Sequence, residues 1–379
     1  VFQKAQKEQH VNQMMQSYLT AMAHRKHLSI DSLHVDLEGL EKWVSAPTTS
    51  VSDAAMLHSL LGSIYTHSAR GRYDNKVMSE LPEDMSEWTQ LMYYQRAFEH
   101  FMASVSQLEE LRKYSTNDYS SITYKGRWSD YYNHDLMHLI GRRAAFGIRD
   151  LENKLRPSFK QTEWNTFTLD YEQFKNDTLT SVSAYDCPAQ AMRIFQRMLA
   201  LIDPKEQAGG WIFMEQNRMN LIPEYLRNTD EHLRLLNRMK ERFERNELCG
   251  SLCLDIATIY KRQEKYPEAL SVLREGIKKY PAYGAVNLLK NMEQEILHPY
   301  FTMRSISSYY YPNDTVTLRV RHRNLNGFTV WMHRVNCPLD TLYKYQDNAE
   351  ALKKYSKFHS EQKFKLVRDP KLLYTDTLI

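Results

Sequence analysis

The stretch YYYPNDTVTLRVRHRNLNGFTVWMHRV, Tyr309 to Val335, reads as strand where the chain before it reads as helix. Val316, Leu318 and Val320 are apolar and alternate with polar neighbours, the period of a half-buried strand. Arg319, Arg321 and Arg323 fall on the other face and read as a solvated stripe. Asn326-Gly327, set between Leu325 and Phe328, is a dipeptide favoured by two-residue hairpins, so a hairpin is expected here. The apolar face of such a strand has to be covered by a facing layer.

Working toward the C-terminus, "CPLD" reads as a turn and "TLYKYQDNAEALKKYSKF" as a helical insertion. "QKFKLV" and "LLYTDTLI" read as further strands. About four strands are too few for an immunoglobulin-like sandwich, which has about seven. The β module over 299–379 is therefore expected to be incomplete, with its remainder beyond Ile379.

Working toward the N-terminus, Pro299 ends the last of many helices. Val11, Met14, Met15, Tyr18, Leu19 and Met22 recur at helical spacing, as do Leu33, Leu37, Leu40, Trp43 and Val44. A third helix begins near Asp53 and carries Leu60, Leu61, Ile64 and Tyr65. The polar stretch from Gly71 to Asp84 interrupts the pattern, and a long helix is expected from about Ser86 to Lys113. Tyr114 to Asp130 reads as loop, Tyr131 to Arg149 as helix, and Pro157 to Tyr185 as mostly irregular. Pro188 opens another helix with Asp186 as its cap. The opening "VFQKAQKEQH" reads as the middle of a helix, so a longer natural chain is expected upstream.

Within this helical part, 1–298, one unit over about 250–283 is sharper than the rest. In "IATIYKRQEKYPEALSVLREGIKKYPAY", Ile256, Ala257, Tyr260, Ala269, Leu273, Gly276 and Pro281 match the spaced positions of a tetratricopeptide repeat. "LLGSIY", with Leu61-Gly62 and Tyr65, "AFEHF" and "AMRIF" echo it more weakly. The expected architecture is mainly α: stacked antiparallel helix pairs in a solenoid-like array, followed by a partial β-sandwich.

Composition narrows the function classes. A content of 42% hydrophobic and 25% charged residues is that of a globular chain. A net charge of +4 without a dense Lys/Arg block argues against nucleic acid. No apolar run reaches the roughly twenty residues of a membrane span. Cys187, Cys249, Cys253 and Cys337 read as small, mostly buried side chains.

No Walker, Rossmann or nucleophile-elbow motif is present, and no cofactor is expected. "HDLMH" is the best candidate for chemistry. His134 and His138 lie one helical turn apart, as two zinc ligands would, with Asp135 where zinc peptidases carry Glu. No third ligand stands nearby in sequence, so buried or capping histidines are the expected role, with a helical metallohydrolase centred on His134 and His138 as the rival. "CPAQ" sets Cys187 and Gln190 at thioester spacing but lacks the flanking Gly and Glu, and reads as a helix start. The aromatic residues of "YSSITYKGRW" read as packing, with a partner or glycan site as the alternative. A free-standing tetratricopeptide-like adaptor is a third alternative.

The order of these features resembles the N-terminal region of long bacterial alpha-2-macroglobulin-like proteins. The resemblance is carried by "VDLEGLEKW", "LHSLLGSIY", "YYNHDLMHLIGRRA" and "YYPNDTVTLRVRHRNLNGFTVWMHRV". It implies a non-enzymatic scaffold or docking region, related to protease trapping and inhibition, preceding and including a first macroglobulin-like β domain. It implies export to the periplasm or outer membrane of a Gram-negative envelope, and partners among other domains of the same chain, proteases or envelope proteins. Five Asp-Ser/Thr-apolar triplets resemble an O-glycan acceptor motif of such envelopes, with Ser32, Thr178, Thr315, Thr341 and Thr377 as acceptors.

Overall fold

The computed structural model describes residues 1–8, 10–28, 32–69, 82, 84–124, 126, 129, 135–156, 158–167, 171–306, 311, 314–345 and 348–379. The chain is mainly helical and ends in small antiparallel sheets. It divides into two compact units, Val1–Cys249 and Gly250–Ile379.

The first unit holds α1 (Phe2–Lys7), α2 (Val11–Leu28), α3 (Ser32–Val44), α4 (Val51–Ser68), α5 (Gln90–Ser104), α6 (Leu108–Leu111), α7 (Leu136–Leu155), α8 (Tyr171–Asn176), α9 (Cys187–Leu201), α10 (Ala208–Leu221) and α11 (Thr229–Arg242). Side chains set several starts. The Ser50 hydroxyl accepts from the Asp53 amide at 3.2 Å to begin α4. Asp135 accepts from the His138 amide at 3.1 Å to begin α7. Asp186 accepts from Ala189 at 3.2 Å, with Pro188 in the first turn of α9, the start expected from the sequence. Each satisfies a donor that a helix N-terminus leaves open.

The expected helix from Ser86 to Lys113 is instead two. α5 stops at Ser104, whose hydroxyl donates to the Phe101 carbonyl at 2.7 Å, and helix resumes at Leu108. Such a local bond competes with continuation of the backbone ladder. The polar stretch at 71–81 and the start of the expected Tyr131 helix lie outside the described residues.

α4 packs on α5, α5 on α7, and α7 on α9. The join turns on Phe101, 3% exposed. A Cβ on Gly62 of α4 would stand 2.7 Å from its ring, and one on Gly147 of α7 2.5 Å. Two glycines thus leave room for one aromatic ring, which lets three helices close on it.

The second unit begins with the rest of α12 (Cys249–Arg262), then α13 (Tyr266–Lys279) and α14 (Val286–Leu297). Cys253 approaches Gly276 so closely that a Cβ there would lie 2.9 Å from the cysteine Cβ. Small residues at both positions let α12 and α13 touch. Strands follow: β1 (Tyr300–Ser305), β2 (Leu318–Arg323), β3 (Gly327–Val335), the helical insertion α15 (Leu339–Tyr345) and α16 (Ala349–Lys353), then β4 (Ser356–Lys365) and β5 (Thr375–Leu378).

The expected hairpin is absent. β2 pairs antiparallel with β1 and β5, giving the order β1-β2-β5, while β3 pairs with β4 in a separate two-stranded sheet. The Asn324–Asn326 link is therefore a crossover between sheets. The left-handed backbone sits at Asn324, φ 58°, and not at Asn326, as a two-residue hairpin turn would require. Gly327 opens β3, where a Cβ would meet the Phe364 carbonyl at 2.5 Å. Close approach to β4 is what selects glycine here.

Tertiary bonds explain the crossover. Asn324 Nδ2 donates to the Ile296 carbonyl at 2.8 Å and Arg323 Nη2 to the Glu295 carbonyl at 2.9 Å. Both cap the open carbonyl end of α14, where a cation is also favoured by the helix dipole. The Arg323 guanidinium lies 4.6 Å from the Tyr374 ring centroid and 5.3 Å from that of Tyr266. Arg323 is thus buried, against the expectation of a solvated stripe, while Arg319 and Arg321 are exposed. Val316 precedes the strand and is 52% exposed, so the expected apolar face reduces to Val320, which is fully buried, and half-buried Leu318. The secondary structure does change at 298–299. These caps join α14 to the strands, which is why the compact division falls earlier, at Cys249/Gly250.

Candidate functional site

The densest cluster of titratable side chains described lies in the first unit, around Glu41 of α3. Arg96 and His100 sit four apart on α5, and His58 and Tyr65 seven apart on α4, so each pair shares a helix face. Arg96 donates from Nε and Nη2 to the two Glu41 carboxylate oxygens at 3.0 and 2.9 Å. Tyr65 donates its hydroxyl to Glu41 Oε1 at 2.8 Å, and His100 Nε2 lies 2.8 Å from the same oxygen. His100 Nδ1 then meets His58 Nδ1 at 2.8 Å. Arg96 Nη1 also reaches Glu99 at 3.1 Å, which accepts from Tyr185 at 2.7 Å.

Burial would raise the Glu41 carboxyl, but the bonds from His100 and Arg96 overcome it and hold the group down at about 2. Burial, reinforced by the charge of His100, lowers His58 to about 4. The Tyr65 phenol is pushed up by burial and by the Glu41 charge. A carboxylate held this low is a poor base near neutrality. The cluster ties α3, α4 and α5 together. A second buried pair braces α10: Arg218, 0% exposed, donates to Glu215 at 2.8 and 2.6 Å, and its guanidinium stacks 4.3 Å from the Phe174 ring centroid.

The sequence marks none of these as a functional residue, and Tyr65 only as a position on an apolar, repeat-like helix face. The available signal was the paired spacing of polar residues on otherwise apolar helix faces.

The residues that were singled out lie elsewhere. His134 is outside the described residues. His138 is fully buried, and its Nδ1 lies 2.6 Å from Asp135, the residue that caps α7. Asp135 thus fixes both the helix start and the imidazole. Among the described residues no group of three His, Cys, Asp or Glu is placed to hold a metal. Cys187 is fully buried, and burial, with the charges of Glu152 and Asp186, pushes its thiol up and away from the reactive thiolate. Cys249 and Cys253 are buried free thiols and Cys337 is partly covered. Of the acceptor-like residues, Thr178 and Thr315 are exposed outside helices and strands. Ser32 opens α3, Thr341 lies in α15, and Thr377 lies in β5, 3.3 Å from His322.

The strands of the second unit present a different surface. Phe328 stacks on Phe364 at 5.1 Å between centroids, and Phe301 lies tilted against Phe328 at 4.9 Å. Beyond that stack Trp331 is 62% and Phe358 60% exposed. No helix described is long and apolar enough to cross a membrane. No family model, no curated protein and no solved structure matches this chain.

Proposed function

We propose that this chain is a non-enzymatic scaffold of a Gram-negative cell envelope: the helical region and first β domain of an alpha-2-macroglobulin-like protein. The tetratricopeptide-like pair α12 and α13, with α14, holds the strands in place, and the strands dock other polypeptide, either further domains of the same protein or an envelope or protease partner. The observation that carries this reading is the exposure of Trp331 and Phe358 on a two-stranded ribbon whose outer edges pair with nothing described. Two strands alone are marginal in water, and exposed aromatic side chains on an open edge are features that proteins normally cover.

A photo-crosslinking amino acid placed at Trp331 or Phe358 in the cell tests it. The reading expects a crosslink to polypeptide, within the chain or to another, at both positions. A control at Tyr225, 81% exposed on the helical unit, should give none. Equal labelling at all three positions, or none at any, would sink the docking role.

A further inference from the structure

The His58 end of the cluster opens on a cavity of about 240 Å³ that the bracing role does not use. Val51, Ala54 and Ala55 of α4 and Leu111 of α6 give it an apolar wall. Ser104 also lines it, but spends its hydroxyl proton on the Phe101 carbonyl at 2.7 Å, and the exposed Ser106 and Gln107 complete the polar part of the lining. His58 is the titratable group in the lining. Its Nδ1 is committed to His100 at 2.8 Å, and among the described residues no hydrogen bond reaches its Nε2.

The relay dictates what Nε2 can offer. If His58 donates from Nδ1, its Nε2 carries a lone pair and accepts. If His100 donates, His58 Nε2 carries the proton and donates. In both cases the imidazole offers the space a single polar atom with one role, beside the apolar wall of α4 and α6. A hydroxyl group, which donates and accepts, meets either. Size points the same way, because an apolar cavity of about 150 Å³ suffices for benzene. The larger space here fits a substituted ring.

We propose that this cavity is a binding site for a small apolar molecule bearing one hydroxyl, of the phenol or aryl-alcohol class, with the hydroxyl on His58 Nε2. Glu41 and His100 hold the imidazole in place from behind.

The test is calorimetric titration of the full chain with phenol, anisole and toluene at neutral pH. Phenol should bind at least tenfold more tightly than toluene. Anisole, which only accepts, separates the two states of the relay: affinity near that of phenol marks Nε2 as donor, and affinity near that of toluene marks it as acceptor. His58→Asn keeps a side-chain amide for His100 but has no counterpart of Nε2, and should reduce phenol to the toluene level. Ala54→Leu should abolish binding of all three while the far-ultraviolet dichroism stays that of the parent. Equal affinity for phenol and toluene, a phenol preference that survives His58→Asn, or no binding of any probe would overturn the assignment.

Discussion

In the first unit a carboxylate, a guanidinium and two imidazoles lie between helices, whereas in the second a tryptophan and a phenylalanine stand in water. The contrast runs against the simple rule of apolar inside and polar outside, and both departures have a physical reason. Buried polar groups persist where every member has a partner, and they then fix which helix faces meet, since any other pairing strands a charge. Strands draw much of their order from backbone pairing, so β3 and β4 form along nine paired positions even where their side chains remain uncovered. Helices therefore depend here on side-chain identity, and the ribbon depends on register.

Several substitutions would break or sharpen that contrast. Phe101→Ala empties the space between Gly62 and Gly147 and should cost about 3–5 kcal/mol, read from urea unfolding followed by helix dichroism. A loss below about 1 kcal/mol would mean the three helices are held by other contacts.

Glu41→Ala leaves Arg96 and His100 without their common acceptor and should cost about 3 kcal/mol by the same assay. The network also sets a pH dependence. Between about 6.5 and about 4 the unfolded chain takes up a proton at His58 that the folded chain refuses, so stability falls as pH falls through that window. The lowered Glu41 adds a further loss from its ordinary 4.5 down to about 2. His58→Gln should flatten the upper limb of the melting-temperature profile. His232, lowered to about 4 by burial and then by Arg227 and Arg218, leaves a residual slope. An unchanged upper limb would remove His58 from the account.

Asn324→Ala should cost about 1–2 kcal/mol, because the new side chain gains nothing in the left-handed region and loses the cap on α14. Asn324→Gly restores the backbone freedom and should recover about half of that. Equal losses for the two would assign the whole effect to the hydrogen bond. Trp331→Ser, on the exposed ribbon, should shift stability by no more than about 0.5 kcal/mol. A larger loss would show that the ribbon side chains are packed in solution.

Much of the helical part was legible in the sequence. Asp186 and Pro188 mark the start of α9, Leu37, Leu40 and Val44 fall on a buried face of α3, and the small residues near Cys253 and Gly276 anticipate a tight helix pair. The strand tract after Pro299 and the helical insertion were legible too, although β1 was missed because its apolar residues do not alternate cleanly. The candidate cluster was not legible, since nothing near Glu41 in sequence announces Arg96, 55 residues away.

The amino-acid sequence by itself determined where helices start, which faces are apolar, and where helix gives way to strand, because caps and periodicity act within a few residues. Tertiary structure alone decided which elements meet. Asn326-Gly327 is a local hairpin signal, yet β2 takes Thr375 to Leu378 as a partner across half a hundred residues, and Asn324 turns to cap α14. A turn dipeptide contributes only a local preference, and the ladder bonds to β1 and β5, together with the burial of Val320 and Arg323, outweigh it.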